Sequence, residues 1–227
     1  MSLDTLTSEL EATTLVGNLT IASRRLQVAV DQTYTDIPAA DGRRILVPWG
    51  QVEMPGMPFN QMMGLPVELT LRTTDEGPRL LAYPVKEHAS LRAQAHTIQP
   101  QPLNPGENPL AALKGDLFDI TAELALGEAT ELGFSIRGLP VVYNAQKQEL
   151  VCRGNRAALK PVDGKIRLRL MVDRVSVDIF GNDGRLYMPM GTMFPQDNLS
   201  LGVYAKGAGA KLNALEVHEL NSAWNSQ

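Results

Sequence analysis

The chain of 227 residues has little of what most active sites are built from. It holds one cysteine and three histidines. A single cysteine excludes an intrachain disulfide framework, and Cys152, in the alternating run ELVCRG, is expected to be a small buried hydrophobe, with no Cys/His pairing in sequence to activate it. His88, His96 and His218 are scattered, without the i, i+4 spacing of paired ligands, so no metal site of ordinary type is expected. Aromatic residues make up 5% of the chain, with tryptophans only at 49 and 224, which is too few for a broad sugar-stacking platform. Lys/Arg runs are absent and the net charge is −4, so the electrostatic footprint of a nucleic-acid binder is missing. No run approaches the roughly 18 apolar residues of a membrane span. MSLDTLTSEL lacks the basic start and apolar core of a secretory signal, and the compartment is left open. Neither a Gly-x-Ser-x-Gly elbow nor a phosphate-cradling glycine loop occurs, and no cofactor is expected.

What the chain does have is short apolar alternation punctuated by 19 glycines and 15 prolines, over a hydrophobic content of 44%. Such a chain buries roughly 70% of its extended surface as one large or two small domains. Residues 163 to 190 show the pattern best. Asp163-Gly164 turns the chain; Ile166, Leu168, Leu170 and Val172 alternate with Lys165, Arg167 and Arg169. After Asp173-Arg174, Val175, Val177 and Ile179 face one way and Ser176 and Asp178 the other, the period-two signature of strands with one buried face. Gly181-Asn182-Asp183-Gly184 then tolerates the positive φ of a hairpin. Further strands are expected at 65–72, 80–83, 118–124, 131–136, 141–143, 149–153, 199–205 and 211–219. This spacing suits an all-β fold, a two-sheet antiparallel β-sandwich of concanavalin-like type. Helix is limited to single turns near 85–91 and 109–113, and the proline-rich IQPQPLNPGENP reads as a loop over one edge.

The phrase MPGMPFNQMMGLPVELTLR, residues 54 to 72, resembles the passage that follows the catalytic domain in invertases, levanases and inulinases, the fructan-hydrolysing glycoside hydrolase family 32. The likeness continues through DQTYTD (31–36), GRRILVPWG (42–50), EGPRLLAYPVKE (76–87), PGENPLAALKGDLFDI (105–120), VDRVSVDIFGNDGRLYMPMG (172–191) and AKLNALEVHEL (210–220), together roughly residues 28 to 224. By that resemblance the whole enzyme joins a five-bladed propeller, which carries the chemistry, to a C-terminal sandwich. Expected domains are therefore a disordered N-terminus or cloning scar at 1–15, a remnant of the last blade at 16–53, and the sandwich at 54–227. His88 stands where the family pattern suggests an aliphatic residue, and Val67 where it has an arginine.

Retaining glycosidases need a nucleophile and an acid/base carboxyl about 5 to 5.5 Å apart. The family supplies these, with a transition-state stabiliser, from a Trp-Met-Asn-Asp-Pro-Asn-Gly phrase, an Arg-Asp-Pro and a Glu-Cys, none of which occurs here. No catalytic, cofactor or metal residue is carried over. Asp178 with Asp183, and Asp116 with Asp119, are the only pairs suggested by position, and solvated strand faces or turn caps are the expectation for them. Trp49, Phe59 and Asn60 fall at the domain junction, where packing and connection are expected ahead of sugar contact, and Asn18-Leu19-Thr20 fits the glycosylation pattern. Three readings follow: an inert sandwich module with a supporting or dimerising role, a fructan- or glycan-binding module, and an interaction protein that completes a separate propeller. Blade strands without their neighbours would expose edges and an apolar face unless they pack back on the sandwich, pair with a copy, or bind a propeller.

Overall fold

The computed structural model describes residues 19–21, 24–26, 34–75 and 77–223. The segment 1–15, residues 27–30 of the strand that the family resemblance implies for the last blade at Leu26 to Val30, Asn18 and Trp224 lie outside them. Apart from a 3-10 helix at Lys86–Leu91, the regular elements of the described chain are strands, paired antiparallel throughout and joined by turns and loops. The two turns expected to be helical are the 3-10 helix and a pair of tight turns at 109–112.

Two sheets make the sandwich. The central sheet has the order Leu186–Gly191, Ser176–Gly181, Lys165–Asp173, Phe118–Ala125, Lys211–Leu220 and Arg92–Ile98, with Gln101–Pro102 pairing beside Lys211–Leu220. The outer sheet runs Asn155–Ala158, Glu149–Cys152, Leu139–Asn144, Glu131–Ile136 and Leu201–Lys206. Alternation decides which side chains meet. Ile120, Ala122 and Leu124 stand on one face of their strand and Ile166, Leu168 and Leu170 on the same face of the next, opposite Phe134, Tyr143, Leu150 and Val203 of the outer sheet, all in one buried cluster. The proline-rich stretch and the turn after it contribute Leu103 and Leu110 to this core.

The turn chemistry follows the sequence. Asn182, Asp183 and Gly184 have φ of 45°, 59° and 91°, and Asp163-Gly164 have 51° and 71°. Asn182 locks its turn by donating to the Lys160 carbonyl at 2.7 Å and accepting from the Arg167 amide at 2.9 Å. Several strands were not foreseen, among them Tyr34–Pro38, Met62–Met63, Gln101–Pro102 within the proline-rich stretch read as a loop, Arg92–Ile98 and Asn155–Ala158. Arg92–Ile98 reads RAQAHTI, poor in β-branched residues, and Asn155–Ala158 reads NRAA; both gain their conformation from a neighbouring strand.

A third sheet precedes the sandwich. Tyr34–Pro38, Arg44–Gly50, Val67–Thr74 and Gly77–Pro84 form a four-stranded meander, with Met62–Met63 added to Arg44–Gly50. The division expected after residue 53 falls inside this sheet, because Leu46 pairs with Val67 and Val67 with Pro84. The meander packs on the side of the central sheet that faces away from the main core. Leu46, Val67 and Ala82 gather there with Met171, Phe180 and Tyr187 in a second cluster. That layer explains why Ser176–Gly181 is buried at every position, where one solvated face was expected.

Candidate functional site

The layer between the N-terminal meander and the central sheet concentrates the buried polar groups. Phe180 is its centre: its ring stacks on Tyr187 at 4.8 Å and takes the edge of Tyr83 at 5.7 Å. Arg169 lies over Tyr83, 5.1 Å from the ring centre. The backbones also join, the Ala82 amide donating to the Gly184 carbonyl at 3.1 Å. Gly184 is required at that point, since a Cβ there would lie 2.5 Å from the Ala82 oxygen.

Two carboxyls are fully enclosed in this layer, in very different company. Asp119 and Asp178 stand in one row across three strands, with Met171 between them, so their backbones are about 10 Å apart at normal strand spacing. Asp119 accepts Arg169 Nε on Oδ1 at 2.8 Å and Arg169 Nη2 on Oδ2 at 2.9 Å. Arg92 Nε and Nη2 add bonds of 2.8 and 2.6 Å to Oδ2. Burial resists ionisation of Asp119, but these bonds and charges outweigh it and hold the carboxyl below its ordinary range. Asp178 has no cation among the described residues. It accepts the Tyr187 hydroxyl at 2.8 Å and lies 3.4 Å from the Ser176 hydroxyl, and burial pushes its pKa up to about 7.

Neither suggested carboxylate pair is brought together. Asp183 is exposed and pairs with Arg167, and Asp116 pairs with Arg174. The expectation of solvated faces holds for those two and fails for Asp119 and Asp178, because the meander covers that face. A cleft of about 90 Å³ opens beside Phe180 and Tyr83, rimmed by Thr121, Glu123, Arg167 and Asp183. Its charges are already paired, Glu123 with Lys165 and Arg167, and Arg167 with Asp183.

His88 is turned inward, its Nε2 3.1 Å from the Pro66 carbonyl, and burial lowers its pKa. His96 meets Glu219 at 2.7 Å. His218 stands on the polar face of its strand, 3.3 Å from Glu216 but without the alignment of a hydrogen bond. No group of three or more His, Cys, Asp or Glu among the described residues could hold a metal ion. Cys152 is buried, and its surroundings push its thiol up to about 12. Asn60 organises the connector, its Oδ1 accepting the amides of Met54 at 2.9 Å and Gln61 at 3.1 Å. Trp49, expected to pack, is 39% exposed, and with Met57, Phe59 and Met63 it gives the segment 49–63 four exposed large apolar side chains. The buried polar layer escaped sequence reasoning; its one signal was His88 in an aliphatic slot.

The family model described as Glycosyl hydrolases family 32 C terminal matches residues 87–219. A levanase of Bacillus subtilis (strain 168) is 31% identical over 223 residues, covering 86% of this chain and 33% of that protein. A sucrose-6-phosphate hydrolase of Escherichia coli is 28% identical over 192 residues, covering 77% of this chain and 39% of that protein. A structure of beta-fructofuranosidase from Schwanniomyces occidentalis, complexed with fructosyl-erythritol, superposes with a TM-score of 0.70 at 13% identity, over 88% of this chain and 49% of that one. The chain thus spans about a third of the length of the curated relatives it matches.

Proposed function

The chain belongs to glycosyl hydrolase family 32, whose C-terminal β-sandwich it carries, and we propose on that premise that it is the supporting, non-catalytic module of an enzyme cleaving terminal β-fructofuranosyl bonds. The four-strand meander at 34–84 is then the last blade of the propeller, and the sandwich begins near Val85, where the family match also begins. One observation carries this reading. The meander seats one face on the sandwich through Leu46, Val67 and Ala82, while Trp49, Met57, Phe59 and Met63 stay exposed on its connecting segment, an apolar surface suited to further blades. The paired, buried state of Asp119 favours a structural role for that carboxylate over chemistry.

Release of free fructose from sucrose, levan and inulin by the purified chain tests it. Silence from the chain alone is expected, and fructose release would overturn the proposal. The same exposed segment favours a second reading, an interaction module that pairs with a separately encoded propeller. Co-purification of a stable one-to-one complex with a family propeller is the outcome expected of it, and a self-paired dimer that excludes the propeller would count against it.

A further inference from the structure

A carboxyl with no cation among the described residues, sealed between two sheets, is costly to ionise, and Asp178 is placed so that this cost falls on the contact between them. It is 2% exposed, and its strand neighbour two positions on, Phe180, is the residue that both Tyr83 and Tyr187 grip. Its two hydrogen bonds bring no counter-charge: Oδ1 accepts the Tyr187 hydroxyl and Oδ2 lies 3.4 Å from the Ser176 hydroxyl, and burial outweighs both. The geometry points to Asp178 as a proton-linked latch: as a neutral acid it lets the N-terminal meander seat on the central sheet, and its ionisation loosens that seat.

The groups around it leave the charge uncompensated. Its own strand supplies Ser176, and Asp173 at the preceding turn adds like-charge repulsion. Lys165–Asp173 presents Met171 opposite and Arg169 one row along, whose guanidinium is committed to Asp119. Leu186–Gly191 supplies Tyr187. The meander brings apolar Leu46, Val67 and Ala82, with Tyr83 under Arg169, and the 3-10 helix brings His88.

In the seated form Asp178 titrates near 7, against 3.8 when exposed. Stability from the raised value is fully present below the exposed value and is lost as pH rises to the seated one. Opening of the seat should therefore grow about tenfold per pH unit across that window and level off above it. His88 works in the opposite sense: its pKa is lowered by burial, so its contribution is lost as pH falls. The two effects are separable by sign.

The Ala82 amide, which bonds across the seat, is the reporter. The ratio of its hydrogen-exchange rate in the full natural chain to that in Asp178→Asn is expected to rise about a hundredfold between about pH 5 and pH 7, the opposite trend from His88 being common to both. A ratio that does not change with pH overturns the latch. Should the variant not fold, carbon-13 titration of the Asp178 carboxyl in the natural sequence decides: a near-neutral midpoint supports it and an ordinary carboxylate midpoint overturns it.

Discussion

Arg169 clasps Asp119 from the neighbouring strand through two parallel bonds of 2.8 and 2.9 Å, and it does so inside the layer that joins the meander to the sandwich. With Arg92 on the other side, one carboxylate holds two guanidinium groups. Fork-shaped pairing of this kind sets the relative position of three strands as well as contributing energy. The pair also bridges layers, since the same Arg169 lies over Tyr83 of the meander.

Removing the shared carboxylate should be severe. Asp119→Ala leaves the largely buried Arg169 and the half-buried Arg92 without their carboxylate, and breaking a buried pair in this way costs roughly 3–5 kcal/mol. Urea unfolding of the purified chain is expected to show a loss of that size, and a loss under about 1 kcal/mol would mean that the arginines find other partners. The pH dependence follows from the depressed carboxyl: its stabilisation is present above the ordinary aspartate value and disappears as pH falls through the seated one. The unfolding midpoint should drop more steeply below about pH 4 in the natural chain than in the variant.

Gly184 offers a test of the backbone contact. Its φ of +91° and a Cβ position 2.5 Å from the Ala82 oxygen make Gly184→Ala both strained and obstructed. Gly164, at φ +71° with open space around it, carries the strain alone. Thermal melts should rank the two substitutions, with Gly164→Ala costing about 1 kcal/mol and Gly184→Ala about 2 to 3 kcal/mol or more.

The sandwich was legible because its strands alternate cleanly and its turns carry their own chemistry: Glu131–Ile136 falls where the pattern puts it, and Asn182-Asp183-Gly184 adopts the positive φ that its residues tolerate. The meander was legible only in part. The phrase at 54 to 72 marks a familiar passage, but nothing local says that Val67–Thr74 pairs back to Arg44–Gly50 across the Met-rich connector, a long-range choice made by packing. For the same reason Ser176 and Asp178 look like a wet face. Alternation reports which residues share a side of a strand, and a covering layer is invisible to it.

Phe180→Ala should separate the two cores. It removes the stack on Tyr187 and the edge contact with Tyr83, and a buried Phe→Ala change costs about 3–5 kcal/mol. Because Phe180 sits in the smaller cluster and not in the main core, the loss should fall on the meander first. Limited proteolysis is expected to cut near Val85, where the meander meets the sandwich, and to digest the meander while a fragment from about residue 85 onward survives. Simultaneous digestion of both parts would show that they fold only as one unit.

The exposed segment 49–63 makes its own prediction about behaviour in solution. Trp49 and Met63 are cross-strand partners in the short pairing with Met62–Met63, and Phe59 stands 57% exposed in the connector between them. Apolar surface of this kind promotes self-association when nothing covers it, yet these side chains support little of the fold beneath. Phe59→Ser with Met63→Ser should therefore leave the unfolding free energy within about 0.5 kcal/mol of the natural chain while lowering its tendency to associate. Light scattering coupled to size-exclusion chromatography over a concentration series reads the association, and urea melts read the stability. Should the double variant associate as strongly as the natural chain, the sticky surface lies elsewhere, and the further blades of a propeller would have no apolar seat on this segment. If it instead unfolds, the connector is part of the meander's core, and its exposure is offset by contacts that Asn60 alone does not supply.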